Sequence, residues 1–412
     1  MEGTEIMERK NKRLYLILAV VIVVAAGSYS YWKRLTAGTE SHHSAGSFSD
    51  DQIESLRALP YAQWSDQKAT STNSGVTQYD PHSAYPGYNL FTNDKNEIYL
   101  VDMSGKHKHT WKVPNGHHCE YAVLLNDGHV LTACESQFIM KLDWDSNPVW
   151  QTKLHVHHEI EVLPDRSILT LVGDKPVPYK SRNVVFDSIV HLSESGGWLD
   201  KWSTFDNLET LKRFHLISPL DTPPAKPKEL RASYSYYHLN AIRLLPDTPL
   251  GQRDRRFQSG NLLICSRNTS MIAILDKATR KPVWSFGPTI LENPHFPVML
   301  ETGNLLIFDN GFTRKSSRVL EIEPSTGKTV WEYTATPPSS FFSPWQGSVQ
   351  RLPNGNTLIC ESNHGHVFEV RPDKRIVWEF WNPVINEKGK RKTIYRFLRL
   401  PVGMVEALLT KP

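Results

Sequence analysis

Cysteine is scarce in this sequence, and neither sign of charge is in surplus. Only four cysteines occur in 412 residues, so a dense disulfide framework is excluded and the fold must rest on a hydrophobic core. The hydrophobic content of 39% is enough for such a core and excludes a disordered chain. The net charge of only +4 provides no basic face for nucleic acid, and we expect no nucleic-acid partner.

One long uncharged apolar segment, LYLILAVVIVVAAGSYSYW, occupies residues 14–32. As a helix it would be about 28 Å long, close to the thickness of the hydrocarbon core of a bilayer. Four basic residues precede it and two follow it, a bias that leaves residues 1–13 in the cytoplasm and exports the remainder. The segment is therefore predicted to be a single transmembrane anchor, and the alternative is a cleaved signal peptide.

A strand, a turn and a second strand recur along the rest of the chain. Residues 33–79 form a polar juxtamembrane spacer, after which AVLLNDGHVLTAC, IEVLPDRSILTLV, VMLETGNLLIF and VQRLPNGNTLIC share one pattern. A second pair of strands follows most copies and ends in tryptophan, as at Trp284, Trp331 and Trp378, which are 47 residues apart. Units of four strands at this period predict an all-β fold, a six-bladed β-propeller over residues 80–390.

Three features lie outside the regular repeats. Residues 206–235 are too long for a simple connection, and we expect this insertion to lie over one mouth of the propeller. The carboxy-terminal segment, residues 391–412, contains TIYRFLRLP, a candidate closing strand. Cys119 and Cys134 flank a hairpin turn and face each other if Leu125 pairs with Gly128, so they are a candidate disulfide.

Polar side chains recur where the first strand of each repeat begins. Six residues before the turn that ends this strand stand Glu120, His158, Asn240, His295 and Gly347. His118 and His238 stand two residues earlier in their repeats, and Arg267, Asn310 and Ser362 follow the second strands. First strands line the central channel of a propeller, so these side chains are expected to converge at one channel mouth.

The chemistry of this predicted cluster favours an anionic, oxygen-rich ligand. Arginine offers a rigid fork of donors, and histidine and asparagine add further hydrogen bonds. The histidines also suit a zinc or structural metal ion, but Arg267 would repel a cation, and we expect no metal. The simplest alternative is that each histidine only caps strand ends or contacts water.

The pieces HHEIEVLPDRSILTLVGD, YHLNAI, CSRNTS, NPHFPV and IFDNG occur in the order found in bacterial arylsulfate sulfotransferases. Over residues 80–385 the chain resembles these exported six-bladed propellers, which move a sulfuryl group between phenols without a nucleotide sulfate donor. The resemblance implies an aryl sulfate donor, a phenolic acceptor and no cofactor. It also implies a Gram-negative bacterium as the source and a catalytic domain in the periplasm. The predicted anchor at residues 14–32, which would place the chain in the inner membrane, departs from the soluble periplasmic members of the family.

The resemblance also assigns roles to individual residues. His295 matches the nucleophile that is transiently sulfated, and His238, Asn240 and Arg267 match residues that bind the sulfuryl oxygens. Either His157 or His158 completes this set, and His158 is preferred because it shares the register of Asn240 and His295. Weaker candidates for substrate binding are His157, His118, Asn310 and Tyr237.

Two other functions stay open at this point. A membrane-anchored propeller without catalysis would use its outer loops for binding or assembly, so the polar cluster would be dispensable. A quinone-cofactor dehydrogenase is disfavoured, since six units rather than eight are present and no set of calcium-binding carboxylates is evident. The sequence leaves open whether the chain forms a homodimer.

Overall fold

A computed structural model describes residues 64–69, 72–93, 96–134, 137–180, 182–221 and 233–410. These residues form a six-bladed β-propeller in which five blades are antiparallel sheets of four strands and the sixth is a sheet of five. The predicted all-β fold and the number of blades are confirmed. No helix within these residue ranges is long and apolar enough to cross a membrane, and the predicted anchor, residues 14–32, lies outside them.

The first half of the chain builds three blades. Two strands precede them: β1 (Trp64–Lys68) and β2 (Gly75–Tyr79). Blade one takes β3 (Tyr88–Asn93), β4 (Glu97–Val101) and β5 (His107–Lys112). Blade two takes β6 (Cys119–Leu124), β7 (Val130–Cys134), β8 (Phe138–Leu142) and β9 (Pro148–Lys153). The next strands along the chain are β10 (Val156–Val162), β11 (Ile168–Gly173), β12 (Val177–Tyr179), β13 (Arg182–Val185), β14 (Asp187–Leu192) and β15 (Trp198–Ser203). Blade three consists of β10, β11, β14 and β15, and β12 and β13 belong to a separate sheet.

The second half supplies blades four to six. Helix α1 (Leu208–Arg213) and β16 (Ser233–Ser235) come first, and β16 joins β12 and β13 in a small separate sheet. Blade four takes β17 (Leu239–Leu244), then helix α2 (Pro249–Arg253), β18 (Leu262–Ser266), β19 (Met271–Leu275) and β20 (Pro282–Phe286). Blade five takes β21 (His295–Met299), β22 (Leu305–Asp309), β23 (Arg318–Glu323) and β24 (Lys328–Tyr333). Blade six takes β25 (Ser348–Arg351), β26 (Thr357–Glu361), β27 (His366–Val370) and β28 (Ile376–Trp381).

The carboxy-terminal segment closes the ring. After β29 (Lys390–Lys392), strand β30 (Phe397–Leu400) pairs antiparallel with β3 and becomes the innermost strand of blade one. The candidate closing strand is therefore present. Helix α3 (Val402–Leu409) follows and buries Val405 and Leu408 in a core cluster shared with blades one and two. Strand β2, in the segment interpreted as a spacer, pairs with the outer strand of blade six.

Blades pack through apolar faces and through the closing tryptophans. The second strands, including VLTAC, LLICS and TLICE, are buried throughout because both faces of a blade are covered by neighbours. Several tryptophans donate Nε1–H to a carbonyl in a turn of the next blade: Trp150 to Glu194, Trp284 to Pro324, Trp331 to Pro372 and Trp378 to Met103. The tryptophan repeat thus joins neighbouring blades.

Two local predictions can be compared with the described backbone. Cys119 and Cys134 stand opposite each other in the register of β6 and β7. The side chain of Cys119 lies outside the described set, so the disulfide stays a prediction.

In the insertion, Leu208, Leu211 and Leu216 pack into the core cluster of blades three and four. Residues 222–232 lie outside the described residues, and the position of the insertion over a channel mouth also stays a prediction.

Candidate active site

The inner strands of blades two to five share an irregularity at the end where the predicted cluster lies. Their pairing registers shift between Cys119 and Tyr121, His157 and Ile160, Leu239 and Ala241, and His295 and Val298. Such bulges bend a strand and redirect its side chains, commonly next to active sites. His158 and His238 have φ values of 63° and 50°, a left-handed conformation that the surrounding structure must hold.

Two of the predicted histidines contact each other directly. Nε2 of His158 lies 2.9 Å from Nε2 of His238. On its other side, Nδ1 of His158 lies 2.8 Å from the hydroxyl oxygen of Tyr395. His157 is close to both rings, with centroids 4.9 Å from His158 and 6.5 Å from His238, and its Nε2 lies 3.1 Å from a carboxylate oxygen of Asp187. The bulge of blade three therefore directs both His157 and His158 toward blade four.

His295 is buried and its tautomer is determined by its neighbours. Nδ1 lies 2.7 Å from Oδ1 of Asn310 and 3.1 Å from the carbonyl oxygen of Asn293. The amide nitrogen of Asn310 donates to the carbonyls of Ser343 and Gln346, which fixes Oδ1 toward the histidine. Two acceptors at Nδ1 require a proton there. In the neutral ring the lone pair is consequently on Nε2, the atom that can act as a nucleophile.

Arg267 is buried, with only 1% of its surface exposed. Its Nε and one Nη are buried without a hydrogen-bond partner among the described residues. Desolvation lowers the pKa of its guanidinium to about 10, so the group still carries a positive charge at neutral pH. A buried charge without a partner is costly, and an anionic ligand would compensate it.

The charge on Arg267 and burial together keep the nearby histidines neutral. Burial, reinforced by Arg267, lowers the pKa of His295 to about 3. Burial, and then the charge of Arg267, hold the pKa of His238 well below its ordinary value. The pKa of His158 is lowered by burial and then by His238. These interactions show that the four groups lie within electrostatic range of one another.

The two asparagines have positioning contacts. Asn240 is fully buried, and its Nδ2 donates to the carbonyl of Pro294 at 2.8 Å, next to His295. Its Oδ1 is buried and has no partner in the described part of the chain. Asn310 is a weaker candidate for substrate binding. Its Oδ1 accepts a hydrogen bond from His295, and its Nδ2 donates to the carbonyls of Ser343 and Gln346 in the loop before β25. In this structure Asn310 therefore orients His295.

The remaining candidates lie at the edges of this cluster or outside it. Tyr237 is completely buried in the core of blades three and four, where its ring contacts Tyr236 and Phe186. Its hydroxyl has no partner among the residues described. His118 is half-buried just before β6. Gly347 occupies the equivalent position of blade six, where a Cβ would lie 2.5 Å from the ring of Phe308.

Sequence analysis missed a group of residues that completes the cluster from the carboxy terminus. Tyr395 contacts His158, and the next residue, Arg396, donates to Glu159 at 2.6 Å and to the carbonyl of Asn240 at 3.0 Å. The sequence contains a pattern that indicates this position. Pro401 follows β30 as Pro164 follows β10, and Tyr395 stands six residues before Pro401. The rule that identifies His158 and His295 therefore also identifies Tyr395.

Within the described residues, no group of three or more histidine, cysteine, aspartate or glutamate side chains is arranged to hold a metal ion. The donors in the cluster are instead a guanidinium, several neutral imidazoles and a carboxamide. This set can bind the oxygens of an anion and present one imidazole nitrogen to it.

Comparison with known families shows the family to which the chain belongs. The model of the family described as arylsulfotransferase (ASST) matches residues 121–383, almost two thirds of the chain. The chain belongs to the arylsulfotransferase family. This membership supports aryl sulfotransferase activity in general, with small-molecule aryl substrates. The matched region contains Arg267, His295, His158, His238 and Asn240, whereas His118, Glu120 and Tyr395 lie outside it.

Further comparisons add little to this assignment. No curated protein gives a significant match to the arylsulfotransferase-family chain. Similar solved structures include a protein of unknown function from Bacteroides caccae, with 14% identity, TM-score 0.49, and coverage of 76% of this chain and 98% of that one. Another is a streptogramin B lyase, with 14% identity, TM-score 0.44, and coverage of 81% and 96% respectively. Likeness at this level carries no functional argument.

Proposed function

We propose that this protein transfers a sulfuryl group from a phenolic sulfate ester to a phenol-type acceptor through a transient sulfohistidine at His295, without a nucleotide sulfate donor. One observation carries the proposal: Asn293 joins His295, whose Nδ1–H leaves the lone pair on Nε2, to Arg267, whose buried guanidinium has two nitrogens without a partner among the described residues. The histidine supplies a nucleophile, and the guanidinium supplies charge for the sulfuryl oxygens.

In the first half-reaction, the Nε2 lone pair of His295 attacks sulfur and forms an N–S bond. The bond between sulfur and the aryl oxygen breaks, and its electron pair leaves on the phenolate. Asn310 and the carbonyl of Asn293 accept the Nδ1–H hydrogen bond and stabilise the ring as it gains positive character. Arg267 neutralises part of the charge on the sulfuryl oxygens, as cationic donors do in phosphoryl transfer.

In the second half-reaction, an acceptor phenol attacks the sulfur and the N–S bond breaks. The electron pair returns to Nε2, which regenerates neutral His295, and the proton of the phenol must be removed. His238 is our candidate for this proton transfer because it is neutral, interacts with His295 and contacts a second neutral histidine, His158. His238 then releases this proton to water, which restores its neutral form, and the phenolate of the first step leaves as the anion or takes a proton from water.

Intact mass spectrometry after brief incubation with 4-nitrophenyl sulfate tests the covalent step. The exported part of the chain is kept at neutral to alkaline pH to preserve an N–S bond. The wild type is expected to gain the mass of one sulfuryl group and release nitrophenolate, whereas His295→Asn shows neither. His82→Asn is the matched control, because His82 is exposed and lies before the first blade strand β3. An adduct of equal yield in His295→Asn would contradict the assignment of the nucleophile.

The non-catalytic alternative gives a different result. A propeller that only binds or assembles would show no adduct and no nitrophenolate release with any phenol acceptor. Substitution of His295 and Arg267 would then leave its binding partners unchanged.

The cellular location is a separate proposal, supported by the uncharged segment at residues 14–32 and its flanking basic residues. We propose that this segment anchors the chain in the inner membrane with the propeller in the periplasm. A reporter active only outside the cytosol, fused after residue 410, should be active. Loss of that activity when residues 14–32 are deleted would support the anchor or a signal peptide, and retention of the mature chain in the membrane fraction distinguishes the anchor.

A further inference from the structure

A continuous series of aromatic and cationic side chains leads from the protein surface to Arg267. The Arg267 guanidinium lies 5.2 Å from the ring centroid of Trp345, and that ring lies 4.8 Å from the ring of Phe312 at an angle of 44°. Nζ of Lys315 lies 4.4 Å from the Phe312 centroid and 6.0 Å from that of Phe342. The series therefore has one cation at its buried end and one at its exposed end.

The aromatic residues are fixed to the element that orients the nucleophile. Phe312 follows Asn310 by two residues, and Trp345 lies between Ser343 and Gln346, whose carbonyls bind the Asn310 amide. The backbone N–H of Trp345 also donates to Oδ1 of Asn363 at 3.3 Å. A ring held by these residues would consequently have a defined position relative to His295.

These rings are only partly covered by the protein. Phe312, Phe342 and Trp345 are half-buried, whereas most large aromatic residues of the blades are buried. Half-buried rings beside an unpartnered buried cation suit a flat apolar ligand with an anionic group at one end. An aryl sulfate has this combination.

The charge at the outer end contacts aromatic rings and has no carboxylate partner among the described residues. Lys315 is exposed and makes no salt bridge to a carboxylate within the described ranges. The neighbouring Arg314 is used differently, since it pairs with Asp309 at 3.0 Å and with Glu292 at 3.4 Å. Lys315 is thus the cation of this loop that is available to a ligand.

We infer that Phe312, Phe342 and Trp345 hold the aromatic ring of the substrate, and that Lys315 selects phenols carrying a second, anionic substituent. The inference rests on the proposed sulfuryl transfer and specifies its substrate class. A carboxylate or sulfonate on the ring would face Lys315 while the phenolic oxygen faces Arg267 and His295. Neutral phenols would use the same ring contacts without the charge interaction.

The first test compares two acceptors of similar size, 4-hydroxybenzoate and 4-hydroxybenzyl alcohol, with 4-nitrophenyl sulfate as donor. Wild type should have the higher kcat/KM for 4-hydroxybenzoate. Lys315→Gln should lower that value up to about fivefold, the effect of an exposed charge pair, and leave the neutral acceptor unchanged. Phe312→Leu should lower kcat/KM for both acceptors. Lys328→Gln, which removes an exposed lysine from the outer strand of the same blade, should change neither.

A binding measurement separates this inference from the transfer chemistry. Titration of His295→Asn with 4-hydroxybenzoate, followed by calorimetry, reports ring binding in a variant that lacks the proposed nucleophile. Weaker binding on adding Lys315→Gln, but not Lys328→Gln, supports the subsite even if no sulfohistidine forms. Equal loss of kcat/KM for both acceptors in Lys315→Gln, or unchanged 4-hydroxybenzoate binding in the double variant, overturns it.

Discussion

Arg267 has opposite effects on stability and on the proposed function. Its guanidinium is buried and two of its nitrogens have no hydrogen-bond partner among the described residues, so folding removes this charge from water with only partial compensation from the ring of Trp345. The same unpartnered nitrogens are what a sulfuryl group needs. A residue of this kind is understandable as part of a binding site and is difficult to explain as part of a stable core.

Arg267→Met separates these two effects. The substitution should lower the rate of sulfuryl transfer about a hundredfold, by analogy with loss of an oxyanion-hole donor. The thermal midpoint should be equal to or above that of wild type, because an unpaired buried charge is removed. Arg243→Met is the contrast for stability, since Arg243 pairs with Glu159 and Glu161, and its loss leaves the buried Glu159 with Arg396 as its one remaining arginine partner among the described residues. A large drop in the midpoint of Arg267→Met would argue for a structural role.

Tyr395 is expected to position His158 through the hydrogen bond at Nδ1. Tyr395→Phe should reduce kcat about three- to tenfold, the usual range for one hydrogen bond, with little change in KM. Tyr237→Phe provides the matched control, because the Tyr237 hydroxyl is buried with no partner in the described residues. Steady-state kinetics and the pH profile of both variants distinguish a loss of positioning from a change in packing. Equal kinetics for the two variants would remove Tyr395 from the mechanism.

At the scale of elements, the inner strands explain how residues far apart in sequence meet. Each of the strands β10, β17 and β21 has a bulge where its polar side chains enter the cluster. Counting back from the turn that ends each inner strand predicted these positions without knowledge of the bulges. The orientations were not predictable, because one extra residue changes the face to which a side chain points.

The closing strand β30 should be essential for folding as well as for the site. Truncation after Arg396 removes β30 and α3, leaving β3 with an unpaired edge and exposing the core that Val405 and Leu408 cover. We expect little soluble protein and no cooperative thermal transition. Truncation after Thr410 is the control and should behave as the full chain, since α3 ends at Leu409. A normal melting curve for the shorter product would show that the ring does not need this closure.

At the scale of the whole molecule, several buried neutral histidines make stability depend on pH. The pKa values of His158, His238 and His295 are lowered from 6.5, that of His295 to about 3. Below about pH 6.5 the unfolded chain binds protons at these residues that the folded chain does not bind. The free energy of unfolding should therefore fall with decreasing pH, by up to about 1.4 kcal/mol per pH unit for each group.

The pKa of His366 is shifted in the opposite direction, so its contribution to stability has the opposite dependence on pH. Although burial lowers its pKa, hydrogen bonds to Glu361 and Glu379 raise it overall. Its contribution to stability is fully present below the unfolded pKa and is lost as pH rises through the folded pKa. It therefore partly offsets the acid destabilisation caused by the other three histidines.

Thermal melting between pH 4 and pH 7 tests this balance. Wild type should lose stability toward pH 4, and His295→Asn should lose less because one titrating group is removed. His82→Asn, which changes an exposed histidine, should retain the slope of wild type. Identical slopes for all three proteins would mean that His295 is not held neutral by the fold.

The sequence by itself determined the number of blades, the family and the strand position of the polar cluster. The number of blades and the position of the cluster follow from local patterns, which are strand periodicity, turn residues and the recurrence of a closing tryptophan, whereas the family followed from the resemblance of several motifs in order. The motif NPHFPV with IFDNG also identified His295 and Asn310. Each of these conclusions depends on residues within one repeat, on a comparison of repeats or on the order of short motifs.

Only the tertiary structure decided what the cluster residues do to one another. The structure shows the pairing of His158 with His238, the orientation of His295 by Asn310, and two Arg267 nitrogens without a hydrogen-bond partner among the described residues. Each of these depends on side chains from different strands or blades. The lowered pKa of His295 results from burial by the assembled ring and from a charge contributed by another blade. Hydrogen-bond geometry and desolvation exist only after the ring closes, which is why no local pattern could predict them.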